Sequence, residues 1–241
     1  MPRTAGGLMS WRVALIDSCG SRPGAADAAA FADHGGRVAR CATAADPTGH
    51  GSRVARLLAG EDAAIELLLG QVFLDARPAS AAAVAAAVDW AVAAGAELIH
   101  MSLGLAADRA VLAGAVERAT GSGRIVVAST PARGAAVYPA GYAGVIRATG
   151  DARCAPGELS HLGEWFFGGC PRFDVGAAGG AGVGAGGCGA SIGAAGGASV
   201  GAAWVTRSIV RGPKGVAGDV VAALTAMARY VGPERRGRAS G

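Results

Sequence analysis

The sequence predicts an α/β fold of three layers, with a mainly parallel central sheet covered by helices on both faces. Three observations carry that expectation. Short apolar runs such as Val13-Ala14-Leu15-Ile16 and Ile125-Val126-Val127-Ala128 lack the in-and-out alternation of a half-solvated strand. Runs of that kind suit strands buried on both sides, as in parallel sheets. Alanine-rich segments closed by glycine lie between them, and strands alternating with helices favour parallel pairing. Finally, 241 residues, 51 % of them hydrophobic, can bury a full core.

In chain order, residues 1–10 read as a loose lead-in. Residues 12–17 form a strand with Asp17 at its C-terminal end. Residues 25–33 have helical character, and His34-Gly35-Gly36 stops them. A second strand follows at 37–41. The turn Asp46-Pro47-Thr48-Gly49 leads into residues 50–58, which place Val54, Leu57 and Leu58 on one helical face. Strand candidates follow at 65–69 and 72–74. Residues 80–94 form a helix ended by Gly95. A strand is expected at 97–104, a helix at 107–120, and strands at 124–129 and 145–149. The pattern weakens over 151–169. Residues 176–197 are nearly all glycine and alanine and read as a loop. Two helices close the chain, around 199–211 and 216–230. Residues 11–232 are expected to form one domain. Residues 233–241, with Arg235-Arg236-Gly237-Arg238, are expected to form a basic flexible tail.

The net charge of +4 is spread thinly, and lysine occurs once, at Lys214. No basic block is interleaved with aromatics, so no nucleic-acid partner is expected. The alanine run at 81–88 is followed at once by Asp89, and no long apolar stretch precedes Trp11. No membrane association is expected, and a cytoplasmic location is. The five cysteines, Cys19, Cys41, Cys154, Cys170 and Cys188, are odd in number and contain no C-x-x-C pair. That argues against a metal site or a disulfide framework and for buried free thiols. No cofactor is expected. Gly182-Val183-Gly184-Ala185-Gly186-Gly187 matches G-x-G-x-x-G, but it follows no strand and opens no helix. No acid stands about 20 residues further on, so a dinucleotide site is disfavoured.

Sites in parallel sheets form outside the carboxyl ends of strands, where Asp17 stands. In Gly197-Ala198-Ser199-Val200-Gly201 a glycine-flanked serine heads a helical stretch. A helix start offers unpaired N–H groups and a positive dipole end, which steady developing negative charge. Nucleophilic hydrolysis needs a serine, a histidine to take its proton and a buried acid to orient the imidazole. Asp17, His50 and Ser199 are therefore the candidate catalytic residues, with the Ser199 N–H as an oxyanion donor. Competing readings stay open. Asp17 could simply accept hydrogen bonds at a strand end. Ser191 lies in Gly189-Ala190-Ser191-Ile192-Gly193-Ala194-Ala195, a near copy of the Ser199 segment, though glycine rather than a helix follows it. His34, His100 and His161 read as structural or exposed.

Val13-Ala14-Leu15-Ile16-Asp17-Ser18 resembles the aspartate motif of subtilisin-like serine proteases, and Gly49-His50-Gly51-Ser52-Arg53-Val54-Ala55 is similar to their histidine motif. Met101-Ser102-Leu103-Gly104 resembles their substrate-binding strand, and Tyr138-Pro139-Ala140-Gly141-Tyr142 the segment after their oxyanion loop. Gly197-Ala198-Ser199-Val200-Gly201-Ala202 resembles their serine motif, with alanine for the usual threonine. The matches run in family order from about residue 12 to 211. The resemblance implies a subtilisin-like fold and peptide-bond hydrolysis by an Asp17–His50–Ser199 triad. It also implies substrate contacts from Ser102, Leu103, Gly104, Ala128 and Ser129.

Three departures from the family pattern matter. The family's oxyanion asparagine falls on Ala132 in Ala128-Ser129-Thr130-Pro131-Ala132-Arg133-Gly134. The whole chain contains no asparagine. Losing such a donor costs about 10²–10³ in rate, and Thr130 or a backbone N–H is the candidate replacement. The proline and histidine that follow the family's serine are Ala203 and Trp204 here. Asp17 also lies so near the N-terminus that no family-type pro-segment is expected. These features suggest a processing enzyme acting on a peptide or protein substrate, such as a leader-bearing small subunit, in complex with that substrate or a maturation partner. The rival expectation is a catalytically impaired subtilisin fold that serves as a peptide-binding module or chaperone. Thiol titration of the denatured, unreduced protein should find all five cysteines free; a clear shortfall would count against a reducing compartment.

Overall fold

The computed structural model describes residues 10–60, 65–75, 77–173 and 196–233. The elements are β1 (Trp11–Asp17), β2 (Asp27–His34), β3 (Arg37–Cys41), α1 (His50–Ala59), β4 (Ile65–Gln71), α2 (Ala81–Ala93) and β5 (Leu98–Met101). After them come α3 (Ala110–Gly121), β6 (Ile125–Ser129), β7 (Val145–Gly150), β8 (Leu159–Gly163), β9 (Phe166–Gly169), α4 (Gly196–Arg211), α5 (Ala217–Met227) and β10 (Tyr230–Val231). The strands form one sheet in the order β10-β8-β9-β7-β6-β5-β1-β4-β2-β3. The β2–β3 and β8–β9 pairs are antiparallel, and the other pairs are parallel. Among the described residues no helix is long and apolar enough to cross a membrane.

Strand alternation divides the core in two. Val13, Leu15, Leu67, Leu69 and Val127 face α1, α4 and α5. Ala14, Ile16, Leu68, Ile99 and Val126 face α2 and α3. The expected three layers follow: a sheet greasy on both faces is covered on both. On α1, Val54, Leu57 and Leu58 are all buried, as their spacing predicts. Ser80 caps α2 by accepting a hydrogen bond from the Ala83 N–H at 3.1 Å.

The chain order turns back at β1, which lies between β4 and β5. That switch point opens a crevice at the carboxyl ends of β1 and β5. Asp17 ends β1, and Ser102 follows the last residue of β5.

Several elements differ from the sequence reading. Residues 25–33 are not helical: β2 covers most of them, pairing in parallel with β4 and antiparallel with β3. Neighbouring strands override the helical preference of alanine. Gly35 and Gly36 do not stop a helix. With φ of 67° and 92° they form the two-residue turn of a hairpin that pairs His34 with Arg37. Residues 72–74 leave the sheet after the Val72 N–H bonds to the Asp17 carbonyl at 2.9 Å. The weak region 151–169 holds the short β8–β9 hairpin, and the last helix stops at Met227, before β10. Cys41 is exposed, whereas Cys19, Cys154 and Cys170 are buried thiols.

Helix α4 docks on β7 and β9 through bare backbone. A Cβ built on Gly201 would stand 2.0 Å from the Thr149 carbonyl oxygen. One on Gly169 would stand 2.6 Å from the Gly201 carbonyl oxygen, and one on Gly150 would stand 2.5 Å from that of Gly197. Glycine is the residue that permits such approach. Gly201→Ala should therefore destabilise the fold by about 3 kcal/mol or more, as overpacking against rigid backbone does. Gly218→Ala, where a Cβ meets nothing within 4 Å, should be neutral or slightly stabilising. Urea denaturation of the two variants checks the contrast.

Candidate active site

Asp17 and His50 meet at the carboxyl end of β1. The His50 Nδ1 lies 3.1 Å from both Asp17 carboxylate oxygens, and the residues are 2 % and 5 % exposed. The Asp17 Oδ1 also accepts from the Ser18 N–H at 2.5 Å and the Ser18 hydroxyl at 3.1 Å. His50 opens α1, and the loop before it is held by a second carboxylate. Asp46 accepts from the Gly49 N–H at 2.8 Å, the Ser52 N–H at 2.8 Å and the Ser52 hydroxyl at 2.7 Å. Those bonds satisfy donors at the helix start that lack intrahelical partners. The Thr48 hydroxyl accepts from the His50 N–H at 3.1 Å. A Cβ on Gly51 would stand 2.3 Å from the Cys19 backbone nitrogen, so α1 presses closely on the end of β1.

Burial disfavours the charged imidazole of His50, but the Asp17 carboxylate opposes it with both its charge and its hydrogen bond. Arg53 lowers and Asp46 raises the value further, and the net shift is upward from the ordinary histidine value. The His50 Nε2 is buried and has no hydrogen-bond partner.

Ser199 stands in the first turn of α4, which begins at Gly196 rather than near residue 199. It is fully buried, and its hydroxyl donates to the Ser102 carbonyl at 3.3 Å. Thus Asp17 and His50 are hydrogen-bonded to each other, while Ser199 is held by the Ser102 segment and not by His50. Catalytic hydrogen bonds are often long or misaligned in unliganded enzymes and tighten around substrate.

Strand β5 pairs with β6 as far as Met101 and Ala128. Beyond that point Ser102-Leu103-Gly104 runs free of the ladder to a bridge between Leu105 and Tyr138. Ser102 and Leu103 are buried, and Gly104 is exposed. Ala128 is buried between β5 and β7, and the Ser129 hydroxyl donates to the Leu103 carbonyl at 3.5 Å. The Thr130 N–H donates to the Ala148 carbonyl at 2.8 Å and its hydroxyl to the Pro131 carbonyl at 3.5 Å, so the hydroxyl has to leave that contact to serve as an oxyanion donor. Ala132 and Arg133 line a cavity of about 360 Å³ with Gly150, Asp151 and Phe166. Ser191, Cys188 and the glycine run 182–187 lie outside the described residues.

Sequence reasoning passed over Ser18, Asp46, Gln71 and Thr206. Gln71 is fully buried and ties two segments together. Its amide donates to the Ser18 carbonyl at 2.9 Å and the Ala44 carbonyl at 3.2 Å, and accepts from the Ala44 N–H at 2.8 Å. A lone glutamine ending an apolar strand was a visible signal of a buried clamp. His34 is exposed, and His161 stacks on Phe167 with ring centroids 5.3 Å apart. Among the described residues no cluster of histidine, cysteine and acidic side chains could hold a metal ion.

No family model matches the sequence, and no curated protein matches it. Among solved structures the chain is similar to the prenylagaramide maturation protease PagA, at 20 % identity and a TM-score of 0.45. That match covers 58 % of this chain and 53 % of the other. The chain is also similar to a serine-to-alanine mutant of the protease domain of PatA, at 23 % identity and a TM-score of 0.47. There the coverage is 61 % of this chain and 60 % of the other, so this chain spans less than two thirds of either neighbour.

Because Asp17 raises the His50 pKa, their pairing stabilises the fold fully below the unfolded histidine value. That contribution is lost as pH rises through the folded value. In Asp17→Asn the charge is gone and burial remains, so His50 should titrate below about 6.5. NMR titration of the imidazole should show the wild type above that value and the variant below it.

Proposed function

We propose that the chain is a subtilisin-like serine endopeptidase that works as a processing enzyme in the cytoplasm. The observation that carries the reading is the buried Asp17–His50 pair, whose Nε2 is unpartnered, with Ser199 in the first turn of a helix on the same face of the sheet. In this reading the Ser199 hydroxyl leaves the Ser102 carbonyl and attacks the peptide carbonyl carbon, and His50 Nε2 takes its proton. The oxyanion accepts from the Ser199 N–H and the Thr130 hydroxyl. His50 then protonates the departing amine, leaving an acyl-serine. Water, deprotonated by His50, releases the new carboxylate and restores Ser199. Substrate adds as a strand alongside Ser102-Leu103-Gly104, whose backbone has left the β5–β6 ladder. Ala128 and Ser129 bound the other side.

The finer proposal is leader removal during protein maturation, on a small subunit like that of quinohemoprotein amine dehydrogenase. It rests on the resemblance of the motifs and not on a residue that names the substrate. A specific observation favours the rival reading of a peptide-binding module: the Ser199 hydroxyl is bonded to Ser102, not to His50, and an oxyanion asparagine is lacking.

A fluorophosphonate separates the two, because only an activated serine reacts. The wild type should label, and Ser199→Ala and His50→Ala should not; Ser191→Ala should label normally. Ala132→Asn should raise the labelling rate by restoring a donor, by up to about 10²-fold. An unlabelled wild type would favour the peptide-binding module.

A further inference from the structure

We propose that His100 is a positioning residue for Ser199, acting through Ser102, an inference that rests on the triad reading above. His100 and Ser102 are two apart in an extended segment and so project to one side of the sheet, toward α4. The His100 Nε2 lies 2.7 Å from the Ser102 hydroxyl, and its Nδ1 lies 2.8 Å from the Thr206 hydroxyl of α4. Thr206 is seven residues after Ser199, two helical turns along the same face. The Ser102 carbonyl in turn accepts from the Ser199 hydroxyl at 3.3 Å. One imidazole thus joins the nucleophile's helix to the segment that holds the nucleophile's hydroxyl.

The ring suits this task because it stays neutral. It is fully buried, and burial lowers its pKa to about 4. Asp17 pulls that value up and His50 pushes it down. A neutral imidazole offers one donor and one acceptor, and each hydroxyl can play the complementary part. Both ring nitrogens are therefore satisfied without a second positive charge beside His50. His100 itself touches neither a reacting atom nor substrate, so its effect on reaction passes through the placement of Ser102.

Two conservative substitutions separate positioning from mere packing. An asparagine amide reaches the place of the histidine Nδ1, so His100→Asn keeps the Thr206 bond and loses the Ser102 bond. A glutamine amide reaches the place of Nε2, so His100→Gln keeps the Ser102 bond and loses the other. Each loses one buried hydrogen bond, and their melting temperatures should fall together. The fluorophosphonate labelling rate should fall by about 10²-fold in His100→Asn, as misplacement of a reacting group does, and recover most of the way in His100→Gln. Ser102→Ala keeps the carbonyl but removes the anchor. It should match His100→Asn, and the double variant should be no slower than either, because the two act as one unit. Equal rates in His100→Asn and His100→Gln, or additive losses in the double variant, overturn the inference while leaving the triad. A wild type that does not label overturns both.

Discussion

The contact on which the site depends is the backbone-to-backbone docking of α4 against β7 and β9. Gly201 lies against Thr149, and Gly169 lies against Gly201, with no side chain between them. This contact fixes how far the helix stands from the sheet. Ser199 in its first turn can then reach the Ser102 carbonyl, and Thr206 two turns on can reach His100. On the same face α1 presses against the end of β1, so that His50 meets Asp17. His50 and Ser199 come from different helices, and the carboxyl ends of the adjacent strands β1 and β5 are their common reference.

Much of this architecture was legible because its signals are local. Apolar runs marked β1, β6 and β7, and an alanine-rich run closed by glycine marked α2. The alanine run of β2 misled, since alanine says helix wherever no neighbour speaks louder, and here two strands do. The pair Gly35-Gly36 carried the correcting signal, because two adjacent residues at positive φ suit a hairpin and not a helix end. The β8–β9 hairpin was obscure for another reason. Its strands are short, and they are defined by pairing outside the hairpin, of β9 with β7 and of β8 with the distant β10.

The candidate site divides the same way. Asp17, His50 and Ser199 stand in short motifs whose residue types announce proton transfer and nucleophilic attack. Their support is scattered: Gln71 acts on Ala44 and Ser18, and His100 acts on a threonine 106 residues away. Hydroxyls and amides of that sort look like ordinary polar residues until the fold brings them to a ring or a carbonyl. Nor does the sequence state which groups meet, and a carboxylate in contact is what sends the two buried histidines apart. His50 has a carboxylate to hold its charge, and His100 has none in contact.

The glycine face of α4 has a mechanical consequence. Interlocked side chains can change rotamer and let a helix slide a little over its sheet. Backbone resting on backbone has no such bearing surface. Ser199 therefore sits on a stiff frame, and any accommodation of a bound peptide would fall to the segments that border it. Ser102-Leu103-Gly104, leaving the ladder with an exposed glycine, and the loop after Ser129 are where compliance can reside. If the proposed function holds, a protein built so keeps its candidate site at one setting and places its tolerance in the bordering segments.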